Sequence, residues 1–182
     1  MMNQSAMGQS IINRAMGVLQ LNDATYEEIE HDQSATTQAA IVVAVGALAS
    51  AIGGLSEGGS GFVAGLISGF VFWIVASAAI YFIGTRLLPS AETQADMGQV
   101  LRLIGFASVI NIIGIIGIIG DVGQVIAAII SLYGIVLFVK AIKHSLEMST
   151  GRAIATAVIA FVLIAIVTAI VYAIFGVDTA MG

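Results

Sequence analysis

The sequence predicts an all-α fold, a polytopic membrane helix bundle with five transmembrane helices and a short cytoplasmic helical leader at the amino terminus. Three observations carry this. Only 9% of residues are charged and 59% are hydrophobic, whereas a soluble domain carries roughly 25% charged residues to cover its surface. Five apolar stretches, 38–55, 62–84, 103–119, 122–142 and 153–176, each approach the ~20 residues that cross ~30 Å of hydrocarbon as a helix. Finally, all six Lys and Arg residues fall on alternate connections. Arg14 precedes the first span, Arg86 and Arg102 lie between the second and third, and Lys140, at the inner end of the fourth, is counted with Lys143 and Arg152 ahead of the fifth. Because cytoplasmic loops retain Lys and Arg, the amino terminus is expected in the cytoplasm and the carboxyl terminus outside a cell membrane.

The leader, 1–37, divides in two. After a polar start expected to be disordered, apolar residues recur at helical spacing over 11–21, which predicts a short amphipathic helix. It either lies on the membrane surface or packs beneath the bundle. Thr25-Tyr26-Glu27-Glu28 fits a capping box, so an acidic helix is expected over 25–34. Repulsion from anionic lipid should hold this segment away from the membrane, leaving Glu27, Glu28 and Glu30 as candidate contacts for a basic partner. No cleavable signal peptide is expected, since an acidic rather than a basic stretch precedes the first span.

In the transmembrane domain, 38–182, the connections at 56–61 and 120–123 force tight antiparallel hairpins. Pro89, the only proline, should end the second helix. Small residues mark expected helix contacts: Gly46, Ser50 and Gly54; Gly61, Gly65 and Gly69; and Ala165, Ala169 and Ala173. Lipid gives helices no hydrophobic reason to associate, so close backbone approach must supply it. The third span repeats Gly every three residues, at Gly114, Gly117 and Gly120. On a helix of 3.6 residues per turn these drift into a sloping groove.

An ionisable side chain within a span is a functional hypothesis by default, and none lies centrally here. Lys140 and Arg102, at the inner ends, can snorkel to the interface. Asn111 is the strong polar residue well inside a span and the candidate intramembrane site. The absence of cysteine excludes disulfides and thiolate chemistry. Histidine occurs at His31 and His144, outside the span centres, so neither a proton relay nor a protease centre is legible. A net charge of −5 argues against nucleic acid. No enzyme, cofactor or metal is expected.

Several segments resemble one family. The run from Ile12 to Thr36, Leu103-Ile-Gly-Phe-Ala-Ser-Val-Ile, and Leu132-Tyr-Gly-Ile-Val-Leu-Phe-Val-Lys-Ala-Ile-Lys followed by Met148-Ser-Thr-Gly-Arg-Ala look like prokaryotic members of the Yip family of membrane proteins. The resemblance covers about 11–175 and implies five membrane helices behind a cytoplasmic amino-terminal region. Its eukaryotic members are implied to bind Rab-type GTPases. This chain reads Tyr26-Glu-Glu-Ile-Glu-His-Asp where they carry an Asp-Leu-Tyr-Gly-Pro-like stretch, so Rab binding does not transfer.

The expected role is a non-enzymatic adaptor, organiser or accessory subunit in contact with membrane lipids, with a protein partner on the acidic leader or the helix faces. An oligomeric channel or carrier lined by the third span is the alternative.

Overall fold

The computed structural model describes residues 4–53, 59–91, 93 and 95–175. Helices α1 (Gln4–Leu19) and α2 (Asp23–His31) form the leader. The remainder comprises α3 (Ala35–Gly53), α4 (Gly59–Phe82), α5 (Met97–Ala107), α6 (Asp121–Ser145) and α7 (Thr150–Phe175). The fold is an all-α membrane helix bundle. Three stretches are long and apolar enough to cross a membrane: Ala35–Ile52, Leu66–Leu87 and Asp121–Ser145. Met97–Ile113 and Thr150–Ile166 are shorter apolar helices.

Contacts at the glycines fix the helix directions. Ala39 and Trp73 both pack on Gly105, while Ala47 packs on Gly69, so α3 and α4 run antiparallel. Gly46 lies against Ser108 and Asn111, which makes α3 parallel to the continuation of α5. Trp73 donates its indole N–H to the Leu101 carbonyl at 2.8 Å, tying α4 to α5.

Several boundaries depart from expectation. Residues expected to be disordered begin α1 at Gln4. Helix α2 starts at Asp23, because Asn22 rather than Thr25 is the cap and accepts from the Thr25 backbone N–H. The reciprocal capping box lies instead at Asp96 and Gln99, an Asp-x-x-Gln signal present in the sequence. It starts α5 six residues before 103 and draws Arg102 into the helix. A π turn, Ile83–Leu87, ends the fourth helix just ahead of Pro89.

The largest departure follows Ala107, where the chain tightens into a 3₁₀ helix over Ser108–Ile119. At 3.0 residues per turn, a period of three is a straight lane. Asn111, Gly114, Gly117 and Gly120 therefore align, and the sloping groove expected for an α-helix does not form. The β-branched run disfavours the α-helix, and the glycine lane relieves the eclipsing of side chains along one of the three rows of the 3₁₀ helix. Reach also changes. As an α-helix, 103–119 would extend about 26 Å, but with Ser108–Ile119 rising about 2.0 Å per residue it extends about 31 Å. That matches the ~30 Å hydrocarbon core. The 3₁₀ helix ends at Gly120, whose φ of 75° suits glycine. Gly123 then presses on it so closely that a Cβ would lie 2.0 Å from the Ile116 carbonyl oxygen.

The stripes of small residues fare differently. A Cβ on Gly69 would lie 2.7 Å from that of Ala47, and one on Gly46 would lie 3.2 Å from that of Asn111, so both are close helix contacts. On α7 the one described residue of the expected stripe does not pack against a neighbour. Ala165 is exposed, whereas Ala153, Thr156 and Ala160 are buried. The packed face continues through 164, one residue and about 100° away from 165. Gly54 lies outside the described residues, and no surroundings are described for Gly61, Gly65, Ala169 and Ala173.

Candidate functional site

The polar side chains concentrate where the leader meets the bundle. Apolar burial brings them there: Val18, Tyr26 and Ile29 are fully buried and join the core formed by Val100, Leu103, Leu137 and Ala141. Each such side chain contributes about 1.5–3 kcal/mol. Repulsion of a surface charge from anionic lipid is worth only about 1 kcal/mol. Burial wins, and the leader is docked on the bundle, the second of the two placements expected for its first helix.

Arg14 clamps three helices. Its Nη2 lies 2.8 Å from Glu28 and 2.6 Å from Asp32, and Nη1 donates to Gln38 Oε1 at 2.8 Å. Burial opposes its charge, yet hydrogen bonds to Asp32 and Glu28 outweigh that and hold its pKa above the ordinary value. Asp32 is held below the usual carboxylate range by Ser34 and Arg14. This planar fork reaching two carboxylates and an amide suits arginine better than lysine. An open groove of about 470 Å³ between α1 and α2 is lined by Arg14 and Glu28.

Helix α6 supplies a second seat. Tyr133, Lys140 and His144 share one face at helical spacing. Tyr133 Oη donates to the Leu19 carbonyl at 2.6 Å and Lys140 Nζ donates to the Leu21 carbonyl. Asp23 bridges Lys140 at 3.1 Å and His144 at 2.9 Å, and these contacts, Lys140 first, lower its pKa. His144 stacks on Tyr26 with centroids 5.2 Å apart, and burial pushes the Tyr26 phenol up. The chain reverses at Leu21, whose φ of 56° is a left-handed conformation held by these contacts.

Helix α5 supplies the third seat. Glu30 is 3% exposed and accepts from Gln99 Nε2 at 3.2 Å. Arg102, also buried, donates to the main-chain carbonyl of Glu30, and its Nε has no partner among the described residues. Burial pushes the Glu30 carboxyl up to about 7, with Glu147 and Glu27 adding to the rise and His31 and Arg102 opposing it.

The three predicted leader acids thus separate. Glu27 is exposed, Glu28 is largely exposed but paired with Arg14, and Glu30 is buried. Arg102 and Lys140 do not snorkel to open water, because the leader covers them. The Gln99 and Arg102 seat was legible only in part, through the capping box that begins α5.

Ser50 and Asn111 meet at the second predicted site. With Ser131 and small apolar neighbours they line a cleft of about 300 Å³ between α3, the 3₁₀ helix and α6. Ser131 is bonded to the Ala128 carbonyl at 2.7 Å, whereas Asn111 has no hydrogen-bond partner among the described residues. No group of three or more His, Asp or Glu that could hold a metal occurs among the described residues.

The family model for the Yip1 domain matches residues 16–172, from the second half of α1 into α7. No curated protein and no solved structure matches the chain.

Proposed function

The chain therefore belongs to the Yip family of membrane proteins, and on that premise we propose that it is a non-enzymatic adaptor or organiser whose docked leader presents a partner surface. The observation that supports this reading is the leader itself. Its basic and buried groups are spent on docking, while Glu27 is exposed and the open side of Glu28 lines the groove between α1 and α2. A basic partner segment that engages Glu28 competes with Arg14 for the same carboxylate. Partner binding and leader docking are coupled in this way.

The proposed setting is a cell membrane crossed five times, with the leader in the cytoplasm. Its support is geometric. Arg14, Arg102 and Lys140 contact or belong to the leader network, and Arg152 bonds the Pro89 carbonyl beyond the π turn that carries Arg86. These basic residues gather at one end of the bundle, as retention of positive charge on one face requires.

The test is affinity purification of the intact protein from its native membrane, beside the double variant Glu27→Gln and Glu28→Gln. A protein that co-purifies with the parent, is lost from the variant and elutes as salt rises supports the adaptor reading. The reading fails if co-purification is the same for both at every salt concentration. Solute flux through liposomes holding the parent protein would favour a channel or carrier instead.

A further inference from the structure

Tyr133 lies midway along α6, twelve residues from Asp121 and twelve from Ser145. Polar residues mark both ends of this helix, Asp121 at one and Lys143 and His144 at the other. With α6 crossing ~30 Å of hydrocarbon, Tyr133 sits near the centre of the bilayer. Its hydroxyl donates to the Leu19 carbonyl at 2.6 Å. A tyrosine side chain is little longer than one helical turn, about 5.4 Å, so the end of α1 lies within about 10 Å of that centre. The hydrocarbon boundary is about 15 Å from it. Helix α1 also packs on the 3₁₀ helix of the third span.

The hydrogen bonding of the turn fits this depth. A helix leaves its last four carbonyls free; water satisfies them at a surface, and hydrocarbon cannot. On α1 protein donors take all four. The backbone N–H groups of Gln20, Asn22 and Leu21 donate to the carbonyls of Met16, Gly17 and Val18, and Tyr133 reaches Leu19. Tyr26 Oη adds a bond to Val18 at 3.3 Å. Beyond the helix, Lys140 Nζ donates to the Leu21 carbonyl. The N–H groups of Thr25 and Tyr26 donate to that of Asn22.

We propose that α1 and α2 form a re-entrant hairpin whose turn enters the leaflet on the leader's side, with the open face of α1 against acyl chains. Ile12, Met16 and Leu19 recur at helical spacing and form one stripe. Ile12 and Met16 are exposed by 58% and 49%, and Leu19 is half-buried. The stripe ends at Tyr133, whose neighbours Leu132 and Val136 are exposed on the apolar face of α6. Lipid is the occupant that this continuity selects. Two polar residues of the turn are exposed as well, Gln20 and Asn22. Asn22 is engaged as the cap of α2, and Gln20 can carry its amide outward along its own stem, as lysine does. The inference rests on α6 spanning the bilayer and stands without the adaptor reading.

The chain has no cysteine, so single spin labels test this directly. Ile12→Cys and Met16→Cys are made in the full chain, beside Leu132→Cys on α6 and Glu27→Cys on the exposed side of α2. Each labelled protein is reconstituted in phosphatidylcholine vesicles. Collision of the label with oxygen, which concentrates in hydrocarbon, is compared with collision with a water-soluble nickel chelate. The Met16 label should favour oxygen several-fold, as the Leu132 label does, and the Glu27 label should favour nickel. The Ile12 label, two turns nearer the water, should give a smaller ratio than Met16. A Met16 label that meets nickel as readily as Glu27 places the turn in a wet recess and overturns the proposal. A Met16 label shielded from both reagents means that protein covers this face, which overturns it too. A higher ratio at Ile12 than at Met16 reverses the direction of insertion, with the same consequence.

Discussion

Arg102 donates to the main-chain carbonyl of Glu30 and leaves the Glu30 carboxylate to the neutral amide of Gln99. A buried arginine beside a buried glutamate would ordinarily be read as an ion pair, but here they share no charged contact. The guanidinium secures the C-terminal turn of α2, and the carboxyl is left where burial favours its protonated form.

Leader docking should therefore depend on pH. The Glu30 pKa is raised from 4.5 to about 7, so its stabilising contribution is complete below 4.5 and lost as pH rises through about 7. Its size is on the order of 3 kcal/mol. Asp23 and Asp32 are shifted downward from 3.8, so their contributions hold above 3.8 and fade as pH falls below it. Docking should peak between about pH 4 and 5. Hydrogen exchange of α2 amides, corrected for the intrinsic rate, should show that maximum. Glu30→Gln should remove the decline toward pH 7.

Arg14→Ala should loosen α1 by about 2 kcal/mol. A buried cation with both acidic partners lost would cost more, but the exposure of Glu28 and Asp32 reduces the loss. Arg14→Lys keeps the charge and recovers only part of the effect, since an ammonium cannot span Glu28, Asp32 and Gln38 together. Proteolysis of the segment 4–31 in detergent measures both variants. Arg14→Lys behaving as the parent would show that charge alone suffices.

Packing should discriminate between residues of one helix. Gly69→Leu places a side chain against Ala47, and Ala160→Leu fills a buried position on α7; each should cost about 1–3 kcal/mol. Ala165→Leu, on the exposed face, should stay within about 0.5 kcal/mol of the parent in a single chain. Denaturation in mixed micelles compares the three. A large loss at Ala165 would show that this position is packed.

For topology, a reporter after Ser90 should read cytoplasmic and one after Gly182 should read external. Both on one side would exclude an odd number of crossings between residues 90 and 182.

Composition and the apolar stretches carried the fold class and the membrane setting, because the solvent preference of a segment is a sum over its own residues. The repeat of three in the third span was visible too, as were the glycines that Gly46 and Gly69 bring into contact. Their consequence was not. Whether a period of three becomes a sloping groove or a straight lane depends on the winding of the backbone, which local propensity and packing against α3 and α6 settle together. The fate of the leader was likewise beyond the sequence. Its acids suggested repulsion, while docking depends on the apolar area that Val18, Tyr26 and Ile29 bury against α5 and α6, residues about 70 to 120 positions away. Burial of Glu30 and capture of Arg14 are properties of that interface, and only the tertiary structure decides them.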